Sequence, residues 1–160
     1  MARLPRGSAV VFRAFGAADA LARGKRLAAV ARRHGVMFIV GMDVALAARL
    51  GADGVHLPER LAGRAGAVRA LRRRFLVSAA AHSLPAALRA RRAGVDAIVV
   101  SPVFPSRSPS AGRAIGVRTF ACLARVASTP AYALGGVNAC TARRLAGSGA
   151  VGIAAIEGLV

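Results

Sequence analysis

The sequence predicts an α/β fold: a parallel (β/α)8 barrel of the TIM type that lacks its first strand, as one N-terminally incomplete domain over residues 1–160. Three observations predict it. Short apolar runs alternate along the chain with Ala- and Arg-rich segments of helical period, which implies a parallel sheet covered by helices. One shape, a helix end, a Gly and then a buried strand, recurs in Gly51-Ala52-Asp53-Gly54-Val55, Gly94-Val95-Asp96-Ala97-Ile98 and Gly149-Ala150-Val151-Gly152-Ile153. Recurrence at every second strand suits a barrel filled in alternating layers. Finally, the chain has 160 residues, whereas complete barrels usually exceed about 200. A doubly wound open sheet is the competing topology, but no GxGxxG follows the first strand.

The strand candidates, in order, are Ala9–Phe15, Met37–Val40, Gly54–Leu57, Leu76–Ala79, Ala97–Ser101, Ala131–Leu134 and Val151–Ala155. Helical period places helices at Ala18–His34, Asp43–Leu50, Ala62–Arg74, Leu84–Ala93, Thr119–Ala127 and Thr141–Ser148. Met1-Ala2-Arg3-Leu4-Pro5 reads as the tail of a helix, so the missing unit is expected upstream of Ala9.

Composition narrows the function classes. Hydrophobic residues make up 56% and aromatic ones 4%, so Ala and Val must fill the core. No apolar run approaches the roughly 20 residues of a membrane span, and Arg13 interrupts the first apolar segment too early for a signal peptide. A cytoplasmic protein is expected. Cys122 and Cys140 lack the spacing of a disulfide framework or a zinc site. The net charge of +18 invites a nucleic-acid reading. Against it, Lys25 is the sole lysine, the arginines are scattered along helices, and no helix-turn-helix pattern or aromatic platform accompanies them. Solvated helix faces explain the charge better, and it would still attract small anions.

In such barrels function sits on the loops after the strands' C-terminal ends. Alternation along the first strand puts Val11, Arg13 and Phe15 on one face, and an inward Arg there is costly unless it meets an anion or water. Ser101-Pro102-Val103-Phe104-Pro105-Ser106-Arg107-Ser108 leaves a buried strand as a hydroxyl-rich loop, in which Ser106 and Ser108 offer O–H donors. Leu134-Gly135-Gly136-Val137-Asn138 and Val151-Gly152-Ile153-Ala154 bring backbone N–H groups to the last two strand ends, the usual phosphate site of this fold. The histidines speak less clearly. His56 reads as a satisfied core residue, His82 as a helix cap, and His34 as a cation at a helix end. With six acidic residues and no paired carboxylates, no acid–base dyad or metal cage stands out.

Four segments, Gly51-Ala52-Asp53-Gly54-Val55-His56-Leu57, Ala81-His82-Ser83-Leu84, Ser101-Pro102-Val103-Phe104-Pro105 and Tyr132-Ala133-Leu134-Gly135-Gly136-Val137, resemble the thiamine phosphate synthase family, which includes the related TenI-type thiazole tautomerases. They fall in the family's order and spacing over almost the whole chain from Ala9. The resemblance implies thiamine biosynthesis and a transferase that joins hydroxymethylpyrimidine diphosphate to thiazole phosphate, with Mg²⁺ holding the leaving pyrophosphate.

Carried over residue by residue, the likeness is lopsided. The family's inward Gln, Arg and Lys fall at Val11, Arg13 and Phe15, and its Asn-Asp after the third strand at Gly41-Met42, with Asp43 beside them. Its second metal-binding Asp falls at Leu61, the preceding Gln at Glu59, and a pyrimidine-contacting Ser at Ala80. The thiazole phosphate side survives better. The family's Thr-x-Thr-Lys reads Ser106-Arg107-Ser108-Pro109, both glycines stand at Gly135 and Gly136, and the eighth-strand Ser becomes Ala154 with its backbone N–H groups kept. The tautomerase His falls at Pro102. The expected ligand is therefore a small phosphate ester such as thiazole phosphate, held by Arg13, Ser106, Ser108, Gly135, Gly136 and Ala154. No tightly bound cofactor is expected, Mg²⁺ entering only if the chain couples. A catalytically impaired ester-binding or regulatory paralogue is the alternative, and a basic nucleic-acid-binding barrel a second.

Overall fold

A computed structural model describes residues 4–14, 16–106, 108 and 112–156. Seven parallel strands form one sheet in strictly sequential order: β1 (Ala9–Phe12), β2 (Met37–Gly41), β3 (Gly54–Leu57), β4 (Leu76–Ala81), β5 (Ala97–Val100), β6 (Ala131–Ala133) and β7 (Ala150–Ile153). Helices return the chain between them: α1 (Ala20–Arg33), α2 (Val44–Leu50), α3 (Ala65–Leu71), α4 (Leu84–Arg92), α5 (Gly116–Ala127) and the single turn α6 (Ala139–Ala142). A doubly wound sheet reverses its strand order partway, and this one never does. The barrel topology is the expected one, with seven strands. Among the described residues β1 and β7 stand at opposite ends of that order. No described helix is long and apolar enough to cross a membrane.

The core lies between sheet and helices. Phe38, Val40, Val55, Leu57, Val77, Ala79, Ile98 and Val100 point from the strands into a cluster with Ala28, Ala31, Ala47, Ala87, Ala90, Phe120 and Leu123 from the helices. Alanine on the helices lets them sit close to the sheet, which is how so few aromatics suffice. The opposite face of the sheet is less filled: Val11 is 43% exposed and Tyr132 37%.

The recurring Gly-x-Asp shape has a specific job. The carboxylate of Asp53 accepts the Phe38 N–H at 2.7 Å, while the Asp53 N–H donates to the Phe38 carbonyl at 2.9 Å. Asp96 repeats this with Val77, at 2.7 and 2.8 Å, and also pairs with Arg69 at 2.7 Å. Each aspartate thus satisfies a strand-start donor that the ladder does not reach. The third copy has Val151 in the same place, and there the β6–β7 register slips between Ala131 and Tyr132. The expected strand Val151–Ala155 accordingly starts and ends earlier, at Ala150–Ile153.

Other boundaries moved for local reasons. The expected strand to Phe15 ends at Phe12, and Phe15 itself lies outside the described residues. The expected helix Ala62–Arg74 splits into a 3-10 segment, Glu59–Arg64, and α3, with Gly63 and Gly66 flanking the junction, where helix propensity is weak. The expected helix Thr141–Ser148 becomes α6 followed by a 3-10 turn, Arg143–Leu145, because Gly147 and Gly149 take left-handed conformations that end it.

Candidate functional site

The loops after β5 and β6 are built into each other. Val103 N–H donates to the Leu134 carbonyl at 2.9 Å, Phe104 N–H to the Gly135 carbonyl at 3.0 Å, and Leu134 N–H back to Val100 at 2.9 Å. Gly135 (φ 90) and Gly136 (φ 63) both lie in the left-handed region. A Cβ at Gly135 would stand 2.7 Å from Pro102 Cα, and one at Gly136 would meet the Pro105 carbonyl and stand 2.8 Å from Phe104 Cβ. The glycine pair therefore lets one loop seat on the other, a reason the sequence does not display. Neither glycine's N–H has an acceptor among the described residues. Asn138 and Thr141 cap α6 reciprocally, and the Thr141 hydroxyl ties down the Gly136 carbonyl at 2.9 Å.

The remaining sequence-derived ligands are placed as follows. Ser106 Oγ accepts the Ser108 N–H at 3.2 Å, a turn that keeps both hydroxyls on one short segment. Arg107 and Pro109, from the same motif, lie outside the described residues. The Ala154 N–H donates to the Ala133 carbonyl at 2.8 Å, so it is committed to the sheet end.

Arg13 follows β1 and lies over Gly41: a Cβ at Gly41 would stand 3.1 Å from Arg13 Cγ. Gly41 pairs with His56, and His56 with Ser78. His56 Nδ1 lies 3.0 Å from Ser78 Oγ, so the histidine is satisfied, as its sequence context suggests. Burial, and secondarily the Arg13 guanidinium, push the His56 imidazole down from 6.5 to about 4. Folding thus holds His56 neutral where the unfolded chain would protonate it. Stability present above about pH 6.5 is lost as the pH falls towards about 4. At ~1.4 kcal/mol per unit the loss reaches roughly 3 kcal/mol. Urea unfolding across this window should show that fall, and His56→Gln should flatten it.

His82 is the functional-loop residue that sequence reasoning misplaced. Ser83, not His82, caps α4, accepting the Ala86 N–H at 3.3 Å. The His82 ring instead reaches the next loop, with Nδ1 2.6 Å from the Ser101 carbonyl oxygen. Its own N–H donates to Glu59 Oε2 at 2.8 Å, and Glu59 pairs with Arg89 at 3.2 Å.

The residues present do not fit a divalent cation. Met42 and Leu61 offer no oxygen ligand. Asp43 accepts the Leu46 N–H at 2.8 Å as the α2 cap, and Glu59 is occupied by His82 and Arg89. Among the described residues no three His, Cys, Asp or Glu side chains come together as metal ligands would. Met42 nonetheless keeps a left-handed backbone, φ 64, a conformation Asn and Asp adopt far more readily than Met.

Strand order and interlocked loops together define a β/α-barrel protein whose candidate site is carried after β5 and β6. The sequence pattern of the family described as thiamine monophosphate synthase matches residues 3–159. The chain is 37% identical over 137 residues to a thiamine-phosphate synthase of Thioalkalivibrio sulfidiphilus, an alignment covering 84% of this chain and 64% of that one. It is 33% identical over 135 residues to a putative thiamine-phosphate synthase 2 of Aquifex aeolicus, covering 83% and 71% respectively. Among solved structures, thiamine phosphate pyrophosphorylase from Pyrococcus furiosus superimposes with a TM-score of 0.79 at 27% identity, over 93% of this chain and 72% of that one. The chain belongs to the thiamine monophosphate synthase family, and it spans about two thirds of the length of these relatives.

Proposed function

We propose that this protein is a thiamine phosphate synthase-like member of cytoplasmic thiamine biosynthesis, one that binds thiazole phosphate while coupling it to hydroxymethylpyrimidine diphosphate very slowly or not at all. One contrast carries the reading: the positions that the family resemblance assigns to a monoester keep hydroxyls and glycines, whereas those it assigns to pyrophosphate and metal hold other residue types. On the retained side, two hydroxyls share a turn and two left-handed glycines have N–H groups without a described acceptor. Such donors hold a phosphate without a metal. On the other side stand Met42 and Leu61 for carboxylates, and Phe15 and Pro109 for lysines.

The basic residues favour this reading over nucleic-acid binding. They are spread over α1, α3, α4, α5 and the last 3-10 turn, rather than along one element. A titration with thiazole phosphate tests the site. Ser106→Ala/Ser108→Ala should weaken binding by about a hundredfold or more, the cost of two charge-assisted hydrogen bonds. Unchanged affinity in the double variant would remove the hydroxyl loop from the site.

A further inference from the structure

We propose that His82, held in place by Glu59, is a positioning residue that fixes the loop bearing Ser106 and Ser108. The three loops after β3, β4 and β5 are joined in series by direct contacts. Glu59 opens the 3-10 segment after β3, and its two oxygens are divided between Arg89 on α4 at 3.2 Å and the main-chain N–H of His82 at 2.8 Å. That fixes the His82 backbone at the end of β4. Its side chain then crosses to Ser101, with Nδ1 2.6 Å from the carbonyl oxygen and 3.4 Å from Oγ. A carbonyl only accepts, so Nδ1 carries the hydrogen and donates it.

The strength of this tie matters because of where it falls. Ser101 is the first residue beyond β5, and its own N–H reaches the Ala81 carbonyl on β4 at 3.4 Å, the long limit of a hydrogen bond. The His82 contact is the short one between the end of β4 and the start of the loop. Beyond Ser101, Pro102 accepts the Ile115 N–H at 3.0 Å, Val103 donates to Leu134, and Phe104 donates to Gly135. A displacement of Ser101 is therefore passed to the base of α5 and to the glycine turn. The hydroxyl pair lies two and four residues past Phe104, at Ser106 and Ser108, and takes its place from this base.

The effect on ligand rests on the function proposed above; the effect on the loop does not. Two variants separate them. His82→Phe keeps a ring but has no donor, and His82→Asn puts an amide nitrogen on the same Cγ as Nδ1. Hydrogen exchange, followed residue by residue, should show the Val103 and Phe104 amides opening about tenfold faster in His82→Phe, with the Val77 and Ile98 amides unchanged. His82→Asn should return both amides to within about twofold of wild type. Thiazole phosphate affinity should follow the same order, falling several-fold in His82→Phe and recovering in His82→Asn. Should His82→Phe fail to fold, Glu59→Ala, which frees the His82 backbone, must produce the same local opening. Unchanged Val103 and Phe104 exchange in His82→Phe, or no recovery in His82→Asn, overturns the positioning role. A wild-type protein that binds no thiazole phosphate overturns the functional reading instead, and the exchange data still decide the role of His82.

Discussion

Thiamine phosphate formation by this chain should run at least about a hundredfold slower than in a relative that keeps both carboxylates and both lysines. Loss of a single well-placed electrostatic contact to a developing charge costs on the order of a hundredfold in rate. In the proposed coupling the departing pyrophosphate would develop negative charge, and the four positions that the family resemblance assigns to meet it carry Phe15, Met42, Leu61 and Pro109. The nearby acids do not stand in for them: Asp43 caps α2 and Glu59 is divided between His82 and Arg89. The effects need not add, but arginines from unmatched positions do not restore the geometry of a metal cage. A coupling assay with both precursors and Mg²⁺, run beside such a relative, measures the difference. Met42→Asp/Leu61→Asp should then gain Mg²⁺ affinity, aided by a backbone at position 42 that already suits Asp. Turnover matching the relative's would refute the inactive-site reading.

The second large effect concerns the glycine turn. Gly136→Val should destabilise the fold by about 2–5 kcal/mol and weaken thiazole phosphate binding more than about tenfold. Two costs combine. A β-branched residue at φ 63 strains the backbone, and its Cβ enters the space of the Pro105 carbonyl and Phe104. Relief requires the β5 and β6 loops to part, which moves the two proposed phosphate-binding segments away from each other. Gly63→Ala is the matched control, since a Cβ there meets nothing within 4 Å and its φ is not left-handed. Urea unfolding and a ligand titration on both variants check the expectation. Equal behaviour of the two would show that the loops are not interlocked as described.

Much of the fold was legible because the sheet repeats a simple pattern. Strands such as Met37–Gly41 and Ala97–Val100 are continuous apolar runs bounded by Gly or Asp, and the Ala-rich helices between them carry an unambiguous period. The failures came where one local signal outweighed the pattern. Gly63 and Gly66 flank the junction that splits a periodic segment, and Gly147 with Gly149 stops another. The β7 shift falls where Val151 stands in place of the aspartate of the other two repeats, and no periodicity reports a missing carboxylate.

The site was less legible for a different reason. Ser106, Ser108 and the glycine pair are recognisable from residue type and place in the chain. What holds them is not. The tie from Glu59 through His82 to Ser101 joins residues 23 and 19 positions apart in sequence, and side chains meeting across loops leave no spacing to read. Likewise, Ala154 offers its N–H in sequence but spends it on Ala133 in the fold.

The central claim is that the monoester half of the site is kept and the pyrophosphate half is lost. Paired calorimetric titrations test it most directly: thiazole phosphate in the presence of EDTA, and pyrophosphate in the presence of Mg²⁺. Saturable binding of thiazole phosphate without metal, together with no binding of Mg²⁺–pyrophosphate at millimolar concentration, is the predicted result. Tight Mg²⁺–pyrophosphate binding that is lost in Asp43→Ala, with no heat from thiazole phosphate, would contradict it.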